Sequence, residues 1–136
     1  MKKIKKILFI DEENFQTDMR AQLLMNSGDH EVDVVDSFAE VEKLYAKDKY
    51  DIVIIDFSRD FGVKSLHYID SIDAMQDMIT ISKDEAYSEQ LGCDYCLAHH
   101  KRRRLVPPFP FPDLLKYVEH FDVTSCTLKH KFELEE

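Results

Sequence analysis

Two short apolar runs, each broken off by a carboxylate, constrain this chain more than anything else in it. Ile7-Leu8-Phe9-Ile10 stops at Asp11-Glu12-Glu13, and Ile52-Val53-Ile54-Ile55 stops at Asp56. A run with no polar alternation has no face to give to water, so it predicts a strand covered on both sides, as in a parallel sheet. The carboxylate marks the end at which the strand opens to solvent.

Between these runs the period becomes helical. Phe15, Met19, Leu23 and Leu24 predict a helix over about 14–26 with those side chains inward, stopped by Ser27-Gly28. Residues 31–36 read as a second strand. Ser37 with Glu40 forms a capping box that opens a helix to about Lys47. After the strand ending at Asp56, a loop through Gly62 leads to a helix near 64–72, with Leu66, Ile69 and Ile72 turned inward. Residues 77–82 read as a fourth strand, followed by a helical stretch within 85–104. Leu105-Val106 is a candidate fifth strand before Pro107-Pro108. Pro112 starts a last helix, 113–121, with Leu114, Leu115 and Val118 on its inner side. Five strands alternating with five helices predict an α/β fold, a doubly wound parallel (βα)5 sheet with right-handed crossovers and helices on both faces. Ligands of such sheets gather outside the carboxyl ends of the strands, where Asp11, Glu12, Asp56 and Ser82 fall.

Composition narrows the class. A chain of 136 residues is the size of one domain, read here as 1–121 with a tail at 122–136. With 44% hydrophobic and 33% charged residues, three Gly and four Pro, it is neither collagen-like nor disordered. No apolar run approaches the ~20 residues of a membrane span. The basic start Met1-Lys2-Lys3 meets Asp11 too early for a secretory signal. Three Cys without such a signal predict reduced thiols and a cytoplasmic location. A net charge of −9 argues against nucleic acid as a partner of the whole surface.

Several carboxylates at adjacent strand ends repel one another unless a cation shares the site. Oxygen-only donors suit Mg2+, which keeps several waters and takes one or two carboxylates plus a phosphate oxygen. A carboxylate beside such a metal can serve as a nucleophile and form an aspartyl-phosphate, and a Ser82 hydroxyl can hydrogen-bond the phosphoryl group. The plainer reading is a set of polar strand ends capping the helices that follow.

These stretches, 7–13, 50–56 and 79–82, resemble the receiver domain of two-component response regulators, a flavodoxin-like fold, over about residues 3–120. The resemblance implies Mg2+ held by Asp11, Glu12, Asp56 and the main-chain carbonyl of Ser58. It also implies Asp56 as phosphoacceptor and Ser82 as the hydroxyl that senses the phosphoryl group. A histidine kinase or phosphotransfer protein is then the expected partner, in signalling rather than catalysis.

The chain departs from the family in three places. Leu105-Val106-Pro107-Pro108-Phe109 resembles the family's Leu-Val-Lys-Pro-Phe segment after strand five, but Pro107 replaces the lysine that pairs with the phosphoryl group and supplies neither charge nor donor. A second register takes Gly92-Cys93-Asp94-Tyr95 as the stretch ahead of strand five and Cys96-Leu97-Ala98 as the strand, with His99, His100 or Lys101 in place of that lysine. The distance from Ser82 to Pro107 fits the first register better. The family's aromatic switch position is Arg104 in the first register and Tyr95 or Cys96 in the second. The loop after Asp56 also lacks the family's proline and reaches Gly62 early.

Three further features need weighing. Cys93, Cys96 and His100 would share one face of a helix and, with Cys126 or His130, could ligate zinc; small buried thiols are the plainer account. The basic run His99–Arg104 reads either as a solvated loop or helix end or as a docking patch, so a homodimer through 93–106 is one expectation. Cys126, Leu128, His130, Phe132 and Leu134 alternate with polar residues at strand period. That pattern suits an edge strand, a dimer arm or a linker.

Overall fold

The computed structural model describes residues 4–11, 15–56, 60–81, 102–105 and 109–121. Its elements are β1 (Lys6–Ile10), α1 (Phe15–Gly28), β2 (Glu31–Val35), α2 (Phe38–Leu44), β3 (Ile52–Asp56), α3 (Asp60–Ile72), β4 (Met78–Ile81), β5 (Arg102–Leu105) and α4 (Phe111–Glu119). The five strands form one parallel sheet in the order β2-β1-β3-β4-β5, which is the expected doubly wound architecture.

Strand alternation splits the apolar side chains between two cores. On one face Ile7, Phe9, Ile52, Ile54, Ile79, Ile81 and Leu105 pack under Leu24 of α1 and under Leu114, Tyr117 and Val118 of α4. On the other, Leu8, Ile10, Val53, Ile55 and Met78 pack under Val41 of α2 and Leu66 and Ile69 of α3. Every residue of Ile7–Ile10 and Ile52–Ile55 is fully buried, as an apolar run without alternation requires.

The helices differ from expectation in phase and length. α1 buries Ala21 and Leu24 while Met19 is 45% exposed, so its inner face is rotated away from Met19. The helix runs through Gly28, and the left-handed turn falls on Asp29 (φ 58°). Gly28 is there for space: a Cβ on it would stand 2.4 Å from His30 Cδ2. α2 ends at Leu44 rather than Lys47. Its cap is as expected, with Ser37 Oγ accepting from the Glu40 amide at 3.3 Å. The Glu40 carboxyl is held above its ordinary pKa, first by a hydrogen bond with the Asp36 side chain and then by desolvation and the Asp36 charge. α3 begins at Asp60, so Gly62 lies inside the helix rather than in a loop, and Ile72 is 39% exposed instead of inward. α4 begins at Phe111 after Pro110 and buries Leu114, Tyr117 and Val118, with Leu115 half-buried against the same core.

β5 decides between the two registers. It is Arg102–Leu105, paired with β4 from Met78↔Arg102 to Ile81↔Leu105. The described strand beside β4 is thus the one that ends at Leu105, as in the first register, and 102–104 are strand rather than helix end. Leu105 anchors it, buried in the core under α4, while the arginines lie on the strand that is outermost among the described residues, where charge blocks unwanted pairing. Residues 85–100, and with them Cys93, Cys96 and His100, lie outside the described residues, as do Cys126, His130 and the tail.

Candidate functional site

The site forms where the sheet changes direction. From β1 the chain goes through α1 to β2 on one side, then through α2 back across to β3 on the other. The carboxyl ends of β1 and β3 therefore flank the switch point, the place where open α/β sheets bind ligands. Ile10 pairs with Ile55, so Asp11 and Asp56 each follow directly on the last paired residues of two neighbouring strands, whose backbones run about 4.8 Å apart. Asp11 is held on two sides. Its amide donates to Val35 O at 3.1 Å, and the residue is 4% exposed. Asp56, the last residue of β3, is half-buried and pairs with Ile81 of β4. Thr80, on the rung of Ile55, is buried. Ser82 follows Ile81 in the chain but, with Glu12 and Ser58, lies outside the described residues.

Two carboxylates on adjacent strand ends form an oxygen donor set, and hard divalent cations select such sets. Among the described residues no group of three or more His, Cys, Asp or Glu side chains comes together. Asp11 and Asp56 are thus what these residues contribute. After β5 the chain reads Val106-Pro107-Pro108 before Phe109, and the Phe109 ring carries the Arg20 guanidinium at 4.8 Å. With the strand at Arg102–Leu105, Arg104 pairs with Thr80 of β4.

Sequence reasoning missed the polar network at the other end of the sheet. Tyr45 Oη donates to Gln76 Oε1 at 2.8 Å, and Gln76 Nε2 donates to the Tyr50 carbonyl at 3.1 Å. Tyr50 Oη donates to Asp33 Oδ2 at 2.8 Å. These bonds join α2, β2, β3 and the approach to β4, and none is signalled by local spacing. An open hollow of about 250 Å³ lined by Asp48, Asp51, Asp73 and Asp77 lies beside the network, at the end of the sheet remote from Asp11 and Asp56.

Burial, followed by the hydrogen bond to Asp33 and its charge, raises the Tyr50 pKa well above that of a free phenol. The folded state therefore keeps the Tyr50 proton after the unfolded chain has lost it near pH 10. Stability from this group is complete below pH 10 and falls as pH rises beyond it, by at most about 1.4 kcal/mol per pH unit. Urea midpoints measured between pH 9 and 11 should fall more steeply for the wild type than for Tyr50→Phe, which has no proton to lose.

No family model matches the sequence, and no curated protein matches it. Solved structures do. A response regulator receiver protein from Sinorhizobium medicae matches with a TM-score of 0.68 at 21% identity, over 87% of this chain and 94% of its own. The receiver domain of a Pseudomonas aeruginosa sensor histidine kinase, with a magnesium ion coordinated in its active-site cleft, matches with a TM-score of 0.66 at 15% identity, over 90% of this chain and 100% of its own. This chain has the receiver-domain fold. A third receiver-fold match is a member of a streptococcal family of redox sensors that evolved from two-component response regulators, with a TM-score of 0.69 at 12% identity, over 87% of this chain and 51% of its own. Among the described residues, no helix of this receiver fold is long and apolar enough to cross a membrane.

Proposed function

We propose that this protein is a cytoplasmic signalling receiver that takes a phosphoryl group onto Asp56 from a histidine kinase or phosphotransfer protein. The observation that supports the reading is that Asp11 and Asp56 directly follow the paired residues Ile10 and Ile55 on the two strands flanking the switch point. An Asp56 carboxylate oxygen attacks the phosphorus of a phosphohistidine. The P–O bond forms as the P–N bond breaks, and the donor imidazole leaves with a proton from solvent. Asp11, Glu12 and Asp56, with the Ser58 carbonyl, would hold Mg2+, and its chemistry there would be to offset the charge between carboxylate and phosphoryl group. The Ser82 hydroxyl would donate to the phosphoryl group once attached. The chain acts as a switch, with its product the modified protein itself.

Incubation with a small acyl phosphate and Mg2+, followed by intact mass measurement, tests this. A phosphoryl adduct is expected in the wild type, lost on chelation of Mg2+ and absent in Asp56→Asn. No adduct from folded protein, with the donor active on a control receiver, overturns it.

One observation favours a second reading. With β5 at Arg102–Leu105, Pro107 follows the strand where the family carries its phosphoryl-pairing lysine. A receiver working through protein contacts alone, dimerising through its basic segment, would form no adduct and would bind its partner equally well as Asp56→Asn.

A further inference from the structure

The sheet has one acidic edge and one basic edge. Among the described residues β2 has β1 as its only neighbour, and Glu31 and Asp33 stand exposed on one face of it. β5 at the opposite margin carries Arg102, Arg103 and Arg104. In a parallel ladder the backbone groups of alternate residues point to opposite sides. Glu31 N donates to Lys5 O at 3.0 Å and Val35 O accepts from Asp11 N at 3.1 Å, so residues 31, 33 and 35 bond to β1. The N–H and C=O of Val32 and Val34 therefore point outward. Their side chains are half-buried, whereas Ile7 and Phe9 beside them on β1 are fully covered.

We propose that the chain's own segment 126–134 adds to this edge as a sixth strand, parallel to β2. Three observations select the place. The first is proximity. Glu119 in the last turn of α4 meets His30, the residue before β2, at 3.3 Å through Nε2, while His30 Nδ1 accepts from the Lys5 amide at 3.1 Å. The chain leaving α4 at Phe121 thus starts beside the entry to β2. Residues 122–125 reach about 13 Å when extended, enough to pass outside the turn at Asp29. They cannot climb a five-residue strand of about 16 Å and return, which makes the added strand parallel.

The second is handedness. α1 and α4 share one face of the sheet, and the connection through α1 steps from β1 toward β2. A right-handed crossover through α4 must step the same way, and about 98% of parallel crossovers are right-handed. A parallel strand beyond β5 would need the opposite hand.

The third is side-chain pattern. As a strand, the segment has Lys129 and Lys131 on one face with Thr127 and Glu133, a net positive set, and Leu128, His130 and Phe132 on the other. Beside β2 the lysines fall on the side of Glu31 and Asp33, and the apolar set extends the cover over Val32 and Val34. Beside β5 the same lysines would join three arginines, and like charges on neighbouring strands are unfavourable.

The experiment is amide hydrogen exchange by NMR on the full chain, comparing wild type with the double variant Leu128→Pro and Lys131→Pro. The two positions lie in opposite phase, so one proline removes a ladder donor whichever set faces β2. The Val32 and Val34 amides should exchange at least about tenfold faster in the variant, while Ile54 and Ile79 in the core stay protected and report an intact fold. Equal rates for Val32 and Val34 in both proteins overturn the proposal. So does protection that is lost on dilution together with a sedimenting dimer, because the strand then comes from a second copy.

Discussion

Phe9→Ala is expected to cost about 3–5 kcal/mol of folding stability, the range for truncating a buried aromatic side chain. Phe9 is fully buried in the middle of β1, paired with Val34 on one side and Ile54 on the other. Its ring lies in the core that α1 and α4 cover. Truncation removes contacts to two strands and two helices at once, and a parallel sheet held on both faces has little freedom to collapse into the space. Small domains have only about 5–15 kcal/mol in total, so the variant should keep its fold in dilute buffer but unfold at much lower urea. Met75→Ala is the control. Met75 is 57% exposed, and a change there should stay within about 0.5 kcal/mol. Equal midpoints for the two variants would contradict the core described here.

The contrast also shows which parts of this fold can be read from sequence. β1 and β3 are legible because burial on both faces leaves only apolar residues, and the sequence shows their boundaries as abrupt carboxylates. Asp11 and Asp56 are legible as a candidate site for the same reason, since the strand ends place them and the topology brings those ends together. β5 is less legible. Arg102-Arg103-Arg104 has no apolar signal, and only Leu105 needs the core. An outermost strand can carry charge on most of its residues, so local composition pointed to a loop or helix end while pairing with β4 made it a strand. The phase of α1 was misread because Met19 and Leu24 both fit a helical stripe. Leu24 is the one that meets the core of β1, β3 and α4, partners far from it in sequence. The network through Gln76 was invisible for a related reason. Its bonds reach Tyr45 and Tyr50, partners supplied by the packed fold rather than by neighbours in the chain.

Asp11→Asn separates the two roles of its carboxylate, and the expected effects have opposite signs. Asp11 and Asp56 directly follow the paired residues Ile10 and Ile55 of β1 and β3. Two negative charges on adjacent strand ends repel one another. Asp56 is only half-buried, so solvent screens much of the repulsion and leaves on the order of 1 kcal/mol. In Mg2+-free buffer the variant should therefore be the more stable protein. Adding Mg2+ should reverse the order. At ten times its dissociation constant a ligand bound only by the folded state contributes about 1.4 kcal/mol, and the variant lacks one of the two described carboxylates that would provide the site. Phosphorylation should change most. Losing charge compensation worth several kcal/mol in the transition state slows transfer by about a hundredfold or more. Thermal midpoints with and without Mg2+, set beside adduct formation rates, read all three effects on the same two proteins. If Mg2+ raised the midpoint of Asp11→Asn as much as that of the wild type, the cation would not be binding between these strand ends. The acidic pair would then be no more than polar ends of two buried strands.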